Sequence, residues 1–315
     1  MEGQNVEFCP SCTERMGNLK RRKYDLYYHA LLFPGVVMLL IFSIVPMGGL
    51  IMAFQKYEPV KGILGSKFVG WHNFKVLLMN PSSLQVIYNT VFISLFKIVL
   101  GIAVPVFFAV LLNECRIKWF KRSAQLIVYF PNFLSWVIVA AMFSNIFSYT
   151  GIVNHILQLF DISEPIMFMA SNTWFRPIII FTDIWKRYGF DAVVYIAAIS
   201  GIDPNLYEAS DIDGAGRLQK IRYITLPGIM STIIVMTTLS LGNILNAGFD
   251  QVFNMYNPNV YETGDILDTF VYRIGLVNLQ YSLGTAVGLV KSAVSMLLIV
   301  ISYKLVYKIA GYKIF

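Results

Sequence analysis

The sequence predicts an all-α integral membrane protein with six transmembrane helices and a helical cytoplasmic loop. Of its 315 residues, 57% are hydrophobic and only 14% are charged, whereas soluble domains carry about 25% charged residues. Six long apolar segments and an uneven distribution of lysine and arginine support the same fold class. An ordinary soluble domain is excluded, because one core could not bury so much apolar surface.

A helix needs about 20 mostly apolar residues to cross a bilayer, and six segments meet this requirement. They lie at 29–54, 86–113, 123–148, 174–200, 228–250 and 284–309. The second and sixth each contain one lysine, Lys97 and Lys291, and the fourth contains the charged stretch DIWKRYGFD. The hydrophilic N-terminus is followed by an apolar run too long for a signal peptide, so we expect that run to remain in the membrane as a span.

Lysine and arginine concentrate on one side of the six predicted spans. If the N-terminus is cytoplasmic, the cytoplasmic parts hold 15 of the 25 Lys and Arg residues, the outside loops hold five and the spans hold five. Cytoplasmic loops are enriched in these residues, so we predict cytoplasmic N- and C-termini. Residues 1–28 then form a tail and 29–315 one transmembrane domain surrounded by lipid. The net charge of +7 reflects this topology, and we predict no nucleic-acid partner.

Three cysteines and three histidines offer little for metal binding. Cys9 and Cys12 form a C-x-x-C pair, but a structural zinc site usually needs four ligands, and no second pair lies at a suitable spacing. Cys115 is isolated in the sequence. We predict no metal site and no cofactor in this chain. A metal or redox role for Cys9 and Cys12 is the alternative to two reduced thiols.

The loop between the fourth and fifth segments, at about 201–227, combines acids, glycines and bases in a short stretch. Asp203 suits the N-cap of a helix, and Pro204 suits its first position. Apolar or small residues at spacings of three would share one face of that helix. They are Leu206, Ala209 and Ile212. The pattern therefore predicts a short helix with an apolar face.

Two glycines interrupt this predicted helix. Gly214 and Gly216 allow left-handed backbone or a close approach, so the chain can turn sharply. A second helical piece follows from Arg217, and Pro227 is expected to start the next span. The loop is thus predicted to be a helical hairpin; an ordinary amphipathic loop on the membrane surface is the alternative.

These residues resemble the EAA loop of bacterial ABC-importer permeases. The matching positions are Glu208, Ala209, Asp213, Gly214, Ala215, Ile224, Leu226 and Pro227, and Gly216 in the same loop is a further candidate for ATPase coupling. The stretches IWKRYGFDAVVYIAAISGIDPNLYEA, FDQVFNMYNPNVYETGDILDTFVYRIGL and YSLGTAVGLVKSAVS resemble the carbohydrate-permease branch that includes LplB-like transporters. The resemblance covers most of residues 30–310.

The resemblance implies a type I ABC importer fold in which this loop is a coupling helix seated in a groove of a cytosolic ATPase. Glu208 would make polar contacts with the ATPase, and Gly214 would permit the turn. The implied partners are a second permease, an ATPase dimer that binds ATP and Mg²⁺, and an extracellular solute-binding protein, in a bacterial cytoplasmic membrane. The sequence contains no GK dipeptide and hence no G-x-x-x-x-G-K-[ST] loop. We therefore predict a transport subunit and not an enzyme.

Polar residues in the fifth segment predict part of a substrate pathway. Ser240, Asn243 and Asn246 recur every three residues and would lie on one side of a helix, with Asp250 one turn later. The two asparagines match a pair, three residues apart, in the sugar site of maltose-type permeases. The resemblance therefore implies sugar contact. Hydrogen bonding between helices is the alternative.

The fourth segment supplies further candidates, because charged residues within a span are often functional. Trp185 and Lys186 are candidates for the substrate pathway. The i,i+4 spacing of Asp183, Arg187 and Asp191 predicts an ion-pair ladder along one helix face, with direct substrate contact as the alternative. Lysines within spans suggest an anionic sugar such as a uronate oligomer, although lysines near span ends also snorkel.

We predict that the chain moves an oligosaccharide, with a uronic-acid-containing one as a candidate, by alternating between inward- and outward-facing states. A permease for another small polar solute and an ion-coupled secondary transporter are alternatives. A membrane enzyme is disfavoured, since neither H-E-x-x-H nor G-x-S-x-G is present.

Overall fold

Helices account for nearly all regular structure in this chain. The computed structural model describes residues 27–160 and 164–310. The first half contains α1 (Tyr27–Phe54), α2 (Gly62–Gly65), α3 (His72–Met79), α4 (Pro81–Glu114), α5 (Lys118–Phe133), α6 (Trp136–Ile146) and α7 (Ile152–Gln158). The second half contains α8 (Asn172–Ser200), α9 (Pro204–Ile212), α10 (Arg217–Gly228), α11 (Met230–Gly242), α12 (Phe249–Met255), α13 (Tyr261–Gly264), α14 (Leu267–Tyr272) and α15 (Tyr281–Ala310). Two strands, β1 (Gln55–Lys56) and β2 (Lys67–Phe68), form an antiparallel pair.

Four predicted spans correspond to single helices: the first to α1, the second to α4, the fourth to α8 and the sixth to α15. By length and apolar composition, three described helices (α1, α4 and α15) could cross a membrane, or up to five spans if each of two bent helix pairs counts as one. Helix α8 has 29 residues, about 43 Å at 1.5 Å per residue, but it carries more charge than the other candidates. The all-α membrane fold is confirmed, and the count of six spans stays a prediction.

The third predicted span is broken, and the fifth begins at a bend. Helices α5 and α6 meet at an angle of 103°, and α10 and α11 at 56°. Pro131 lies in the tightly wound turn that ends α5, and the Ser135 side chain caps α6 by accepting a hydrogen bond from the amide of Ile138 at 3.4 Å. A proline removes a backbone donor and a new cap restarts the helix. The break therefore has a local cause.

The continuous helix predicted over 228–250 is wrong. Helix α11 ends at Gly242, residues 243–248 are not helical, and α12 begins at Phe249. Gly248 has φ +94°, a left-handed conformation that glycine adopts without a steric cost and other residues rarely reach. Helix α12 then packs into the core with Val252 fully buried.

Helices α4 and α8 pack side by side, and α5 crosses α8 closely. A Cβ atom added at Gly189 of α8 would lie 2.3 Å from the carbonyl oxygen and from a methyl group of Val128. Because real Cβ atoms do not approach backbone that closely, Gly189 is what allows α5 to reach α8. The core nearby contains the buried residues Phe175, Ile179 and Val139.

We expect Gly189→Ala to destabilise the protein, because α5 and α8 must move apart to admit one methyl group. Overpacking of this kind costs about 1–3 kcal/mol. The midpoint of thermal aggregation in detergent should fall for Gly189→Ala. The matched control is Gly288→Ala in α15, where a new Cβ meets no atom within 4 Å. Equal midpoints for the two variants would contradict this account of the crossing.

Candidate functional site

The loop at 201–227 is a helical hairpin, formed by α9 and α10. The side chain of Asp203 accepts a hydrogen bond from the amide of Asn205 at 3.0 Å, and Pro204 is the first residue of α9. Both features follow the sequence-based expectation for a capped helix start. Gly214 lies in the turn with φ +75°, which a residue with a side chain adopts only at a steric cost.

Gly216 differs from Gly214 and is not left-handed. Its backbone is extended, with φ −70° and ψ 165°, and it caps α10. Its amide donates a hydrogen bond to Oε1 of Gln219 at 2.7 Å. The turn itself therefore depends on Gly214, whereas Gly216 starts the second helix.

Two side-chain contacts join the arms of the hairpin. The hydroxyl groups of Tyr207 in α9 and Thr225 in α10 are 3.0 Å apart, and Lys220 forms an ion pair with Asp211. Thr225 is buried, so its contact is protected from water. These contacts hold α9 and α10 as one unit.

The outer face of the hairpin is uncovered by the described residues. Leu206 is 52% exposed and Ile212 is 88% exposed, and Glu208 and Ala209 on the same helix are exposed as well. Large exposed apolar side chains beside a carboxylate form a surface suited to a protein partner. Glu208 and Ala209, with which the EAA resemblance begins, are thus available for contact.

Pro227 does not start the fifth span as expected. It lies inside α10, one residue before that helix ends, and α11 begins at Met230 after the 56° bend. The preceding turn, Ile221–Thr225, is wound more widely than an α-helix. A wide turn accommodates the missing donor of a proline, so Pro227 marks the bend between the hairpin and the membrane helix.

A polar cavity of about 390 Å³ lies between α4, α8, α11 and the non-helical segment 243–248. Its polar lining comprises Ser94, Lys97, Asp183, Arg187, Tyr188, Asp191, Tyr195, Ser240, Asn243 and Asn246. Hydroxyl, amide and charged groups in one cavity inside an apolar bundle are suited to a polar ligand.

The cavity brings together three of the residues proposed from the sequence: Ser240, Asn243 and Asn246. They do not share one helix face, because the helix ends before Asn243. The amide of Asn243 donates to the carbonyl of Leu239 at 3.2 Å, and the amide of Asn246 donates to Oδ1 of Asn243 at 3.2 Å. Both asparagines remain exposed, so their other amide positions can meet a ligand.

Three other proposed residues lie outside this cavity. The ammonium of Lys186 donates to the carbonyl of Asn132 at 2.7 Å and lies 5.4 Å from the ring centre of Trp136. Trp185 packs edge-on against Phe143, with ring centres 5.2 Å apart. Asp250 is exposed in the first turn of α12. Lys186 and Trp185 find their partners in the neighbouring helices α5 and α6. The spacing of residues along α8 alone could not predict these contacts.

The predicted ion-pair ladder along α8 is wrong in its first step. Asp183 lies 3.5 Å from Lys97 of α4 and forms no described ion pair with Arg187. Arg187 lies 3.6 Å from Asp191, as its i,i+4 spacing predicts. Packing of α4 against α8 places Lys97 beside Asp183 and leaves the Arg187 side chain 58% exposed in the cavity.

No role was predicted from the sequence for several residues that line the cavity, among them Ser94, Tyr188, Tyr195 and Gly248. Ser94 is buried, and its hydroxyl has no hydrogen-bond partner among the described residues. Its position three residues before Lys97 puts both on one face of α4. That spacing inside an apolar run is the signal that could have identified this side of the cavity.

The described residues contain no group of three metal-binding side chains. Cys9 and Cys12 lie outside the described part of the chain, and the described cysteine, Cys115, is a free thiol. The predicted N-terminal tail up to residue 26 lies outside it as well.

The family described as the inner membrane component of binding-protein-dependent transport systems matches residues 101–311. The chain belongs to this family. Within it, the chain is 39% identical to the polygalacturonan/rhamnogalacturonan transport system permease protein YteP of Bacillus subtilis over 283 residues, covering 90% of this chain and 88% of YteP. It is 40% identical to protein LplB of the same organism over 285 residues, with the same coverage.

Solved structures of binding-protein-dependent transporters agree with this assignment. One chain of the crystal structure of a bacterial ABC transporter involved in the import of the acidic polysaccharide alginate superposes with a TM-score of 0.85. The two chains are 36% identical, and the match covers 94% of this protein and 99% of the transporter chain. The resemblance argued from the hairpin is confirmed: the protein is a multi-pass inner-membrane permease of the carbohydrate-importing ABC branch, a family of transport subunits.

Proposed function

We propose that this permease moves uronic-acid-containing oligosaccharides across the bacterial cytoplasmic membrane by alternating access. The observation that carries the proposal is the cavity that Asn243, Asn246 and an exposed Arg187 line together. Amide groups can hydrogen-bond sugar hydroxyls. A guanidinium group binds a carboxylate with two parallel hydrogen bonds.

The relatives support an acidic sugar. YteP is named for polygalacturonan and rhamnogalacturonan transport, and alginate is described as an acidic polysaccharide. A second solved structure holds the alginate transporter together with a periplasmic protein bound to an alginate pentasaccharide. We accordingly propose that an extracellular binding protein delivers the oligosaccharide to this chain.

In this proposal the hairpin couples ATP hydrolysis by a partner subunit to movement of the permease. A cytosolic ATPase dimer, which binds ATP and Mg²⁺, contacts the exposed face that carries Glu208, and a second permease completes the pathway. Both chain termini then lie in the cytoplasm, as the distribution of lysine and arginine indicates. Because α9 and α10 are held together, motion of the ATPase reaches α8 and α11 without being absorbed in the loop.

We expect Arg187→Gln to lower uptake of an acidic trisaccharide about tenfold or more in the complete transporter reconstituted in vesicles. A hydrogen bond to a charged group contributes about 1.5–3 kcal/mol, and glutamine cannot replace the charge. Uptake of a neutral trisaccharide, if the transporter accepts one, should change much less. The control is Arg116→Gln, which removes an exposed arginine outside the cavity. Equal loss for acidic and neutral sugars would contradict carboxylate recognition by Arg187.

The class of transporter is tested with the same vesicles. Uptake should require ATP and the ATPase subunit, and it should survive an ionophore that collapses ion gradients. The opposite pattern would favour an ion-coupled secondary transporter. Binding of neutral but not uronic oligosaccharides by the extracellular partner would restrict the proposal to neutral sugars.

A further inference from the structure

The side chain of Lys97 connects α4 to the break in the fifth span. Its ammonium donates a hydrogen bond to the carbonyl of Ala247 at 2.7 Å and another to Oε1 of Gln251. Asp183 of α8 lies 3.5 Å away. The Lys97 side chain is only 9% exposed, so these contacts are largely shielded from water.

Gln251 extends the connection to α8. It is fully buried, and its amide donates to the carbonyl of Ile179 and to the hydroxyl of Thr182, each at 2.7 Å. The non-helical segment is therefore tied through Lys97 to α4 and through Gln251 to α8. Without these ties, peptide groups of a broken helix at membrane depth would be costly.

Gly248 lies directly beside the ammonium of Lys97. Its φ of +94° turns the chain into α12, and a Cβ atom there would lie 3.3 Å from the ammonium of Lys97. A side chain at position 248 would thus meet both a strained backbone and the lysine. A glycine at position 248 therefore allows Lys97 to approach segment 243–248 this closely.

Direct binding of sugar by Lys97 is less consistent with this geometry. An ammonium group has three hydrogen-bond donors, and Ala247, Gln251 and Asp183 account for three partners. Asn243 and Asn246, by contrast, have exposed amides. The lysine is placed to hold the segment and the asparagines are placed to meet a ligand.

We infer that Lys97 is a positioning residue that holds segment 243–248 out of the helix, so that Asn243 and Asn246 face the cavity. The role of the asparagines in sugar binding rests on the proposed function. The effect of Lys97 on the conformation of segment 243–248 does not, because it concerns contacts within this chain.

The test measures how accessible Ala247 becomes. Ala247 is 1% exposed, so a cysteine placed there should react slowly with a hydrophilic maleimide. The complete transporter in membrane vesicles is used, with Cys9, Cys12 and Cys115 replaced by serine. Lys97→Met should raise the labelling rate of Ala247→Cys about tenfold, which corresponds to about 1.4 kcal/mol, near the lower end for a hydrogen bond to a charged group.

Three further variants make the result specific. Lys97→Arg keeps the charge and donors and should lower the labelling rate again, towards that of the parent. Lys291→Met removes another lysine of a membrane helix, whose partner is Asp268, and should leave labelling near that of the parent. Gln251→Met removes the second tie at similar volume and should raise labelling even if Lys97→Met fails to assemble.

Unchanged labelling in assembled Lys97→Met and Gln251→Met would overturn the inference. The sugar pathway is judged separately by transport in Lys97→Met, where we expect KM for the oligosaccharide to rise more than the maximal rate falls. Suppose that Lys97→Met raises labelling of Ala247→Cys while Asn243→Ala transports normally. This result would support the positioning role of Lys97 and contradict the proposed sugar pathway.

Discussion

Gly214→Val should reduce uptake to background while the permease still inserts into the membrane. Gly214 has φ +75° in the turn between α9 and α10, and a β-branched residue is strongly disfavoured there. The hairpin would have to change its turn, and the exposed face of α9 would no longer lie where the proposed ATPase meets it. Co-purification of the ATPase and uptake into vesicles measure the two effects.

Gly62→Val provides a matched control for backbone strain. Gly62 also has a left-handed conformation, with φ +65°, and a new Cβ there meets no atom within 4 Å. It lies at the start of α2, away from the hairpin. If both variants lose uptake equally, general misfolding rather than failed coupling explains the result.

Glu208→Ala tests the polar part of the same surface. Glu208 is exposed on α9, so its removal should leave the fold intact and still lower both ATPase retention and uptake. Glu164→Ala, at an exposed glutamate between α7 and α8, is the control. Normal uptake in both Glu208→Ala and Gly214→Val would exclude the hairpin as the coupling element.

The second large effect is expected at the cavity. Asn243→Ala and Asn246→Ala should each lower uptake at a subsaturating oligosaccharide concentration about tenfold. Each removes hydrogen bonds of about 0.5–1.5 kcal/mol to the sugar, and each also disturbs the 3.2 Å bond between the two side chains. The double variant should be less than additive, because the two residues share that bond.

Asn254→Ala is the control for the cavity variants, since Asn254 is exposed on α12 and its amide bonds the carbonyl of Asp250. Retention of the ATPase should be normal in all three variants. Unchanged rate and substrate range in Asn243→Ala and Asn246→Ala would remove both from the pathway.

Local signals in the sequence predicted much of the fold. The long apolar runs matched α1, α4, α8 and α15, because a run of about 20 apolar residues is long enough to cross a bilayer as a helix and is rarely found in any other structure. Asp203 and Gly214 were predictable for a similar reason: a cap and a left-handed turn depend on residues within a few positions of each other.

The break in the fifth span could not be predicted in the same way. Ser240, Asn243 and Asn246 have the spacing of a helix face, yet the chain leaves the helix after Gly242. The contact that holds this break comes from Lys97, which is 150 residues from Ala247 in the sequence. The pairing of Asp183 with Lys97 instead of Arg187 has the same origin, since tertiary packing overrode a local i,i+4 preference.

Hydration of the cavity follows from that break. Peptide groups outside a helix are tolerated at membrane depth only where protein, water or a ligand satisfies them, and Ser94 adds a buried hydroxyl with no described partner. We therefore expect water in the cavity when no ligand is bound, and in the proposed pathway the hydroxyls of an entering sugar replace that water. If the proposed pathway is right, selectivity would depend on how well a sugar reproduces the hydrogen bonds of the water it displaces, and displacement of that water would be part of each transport cycle.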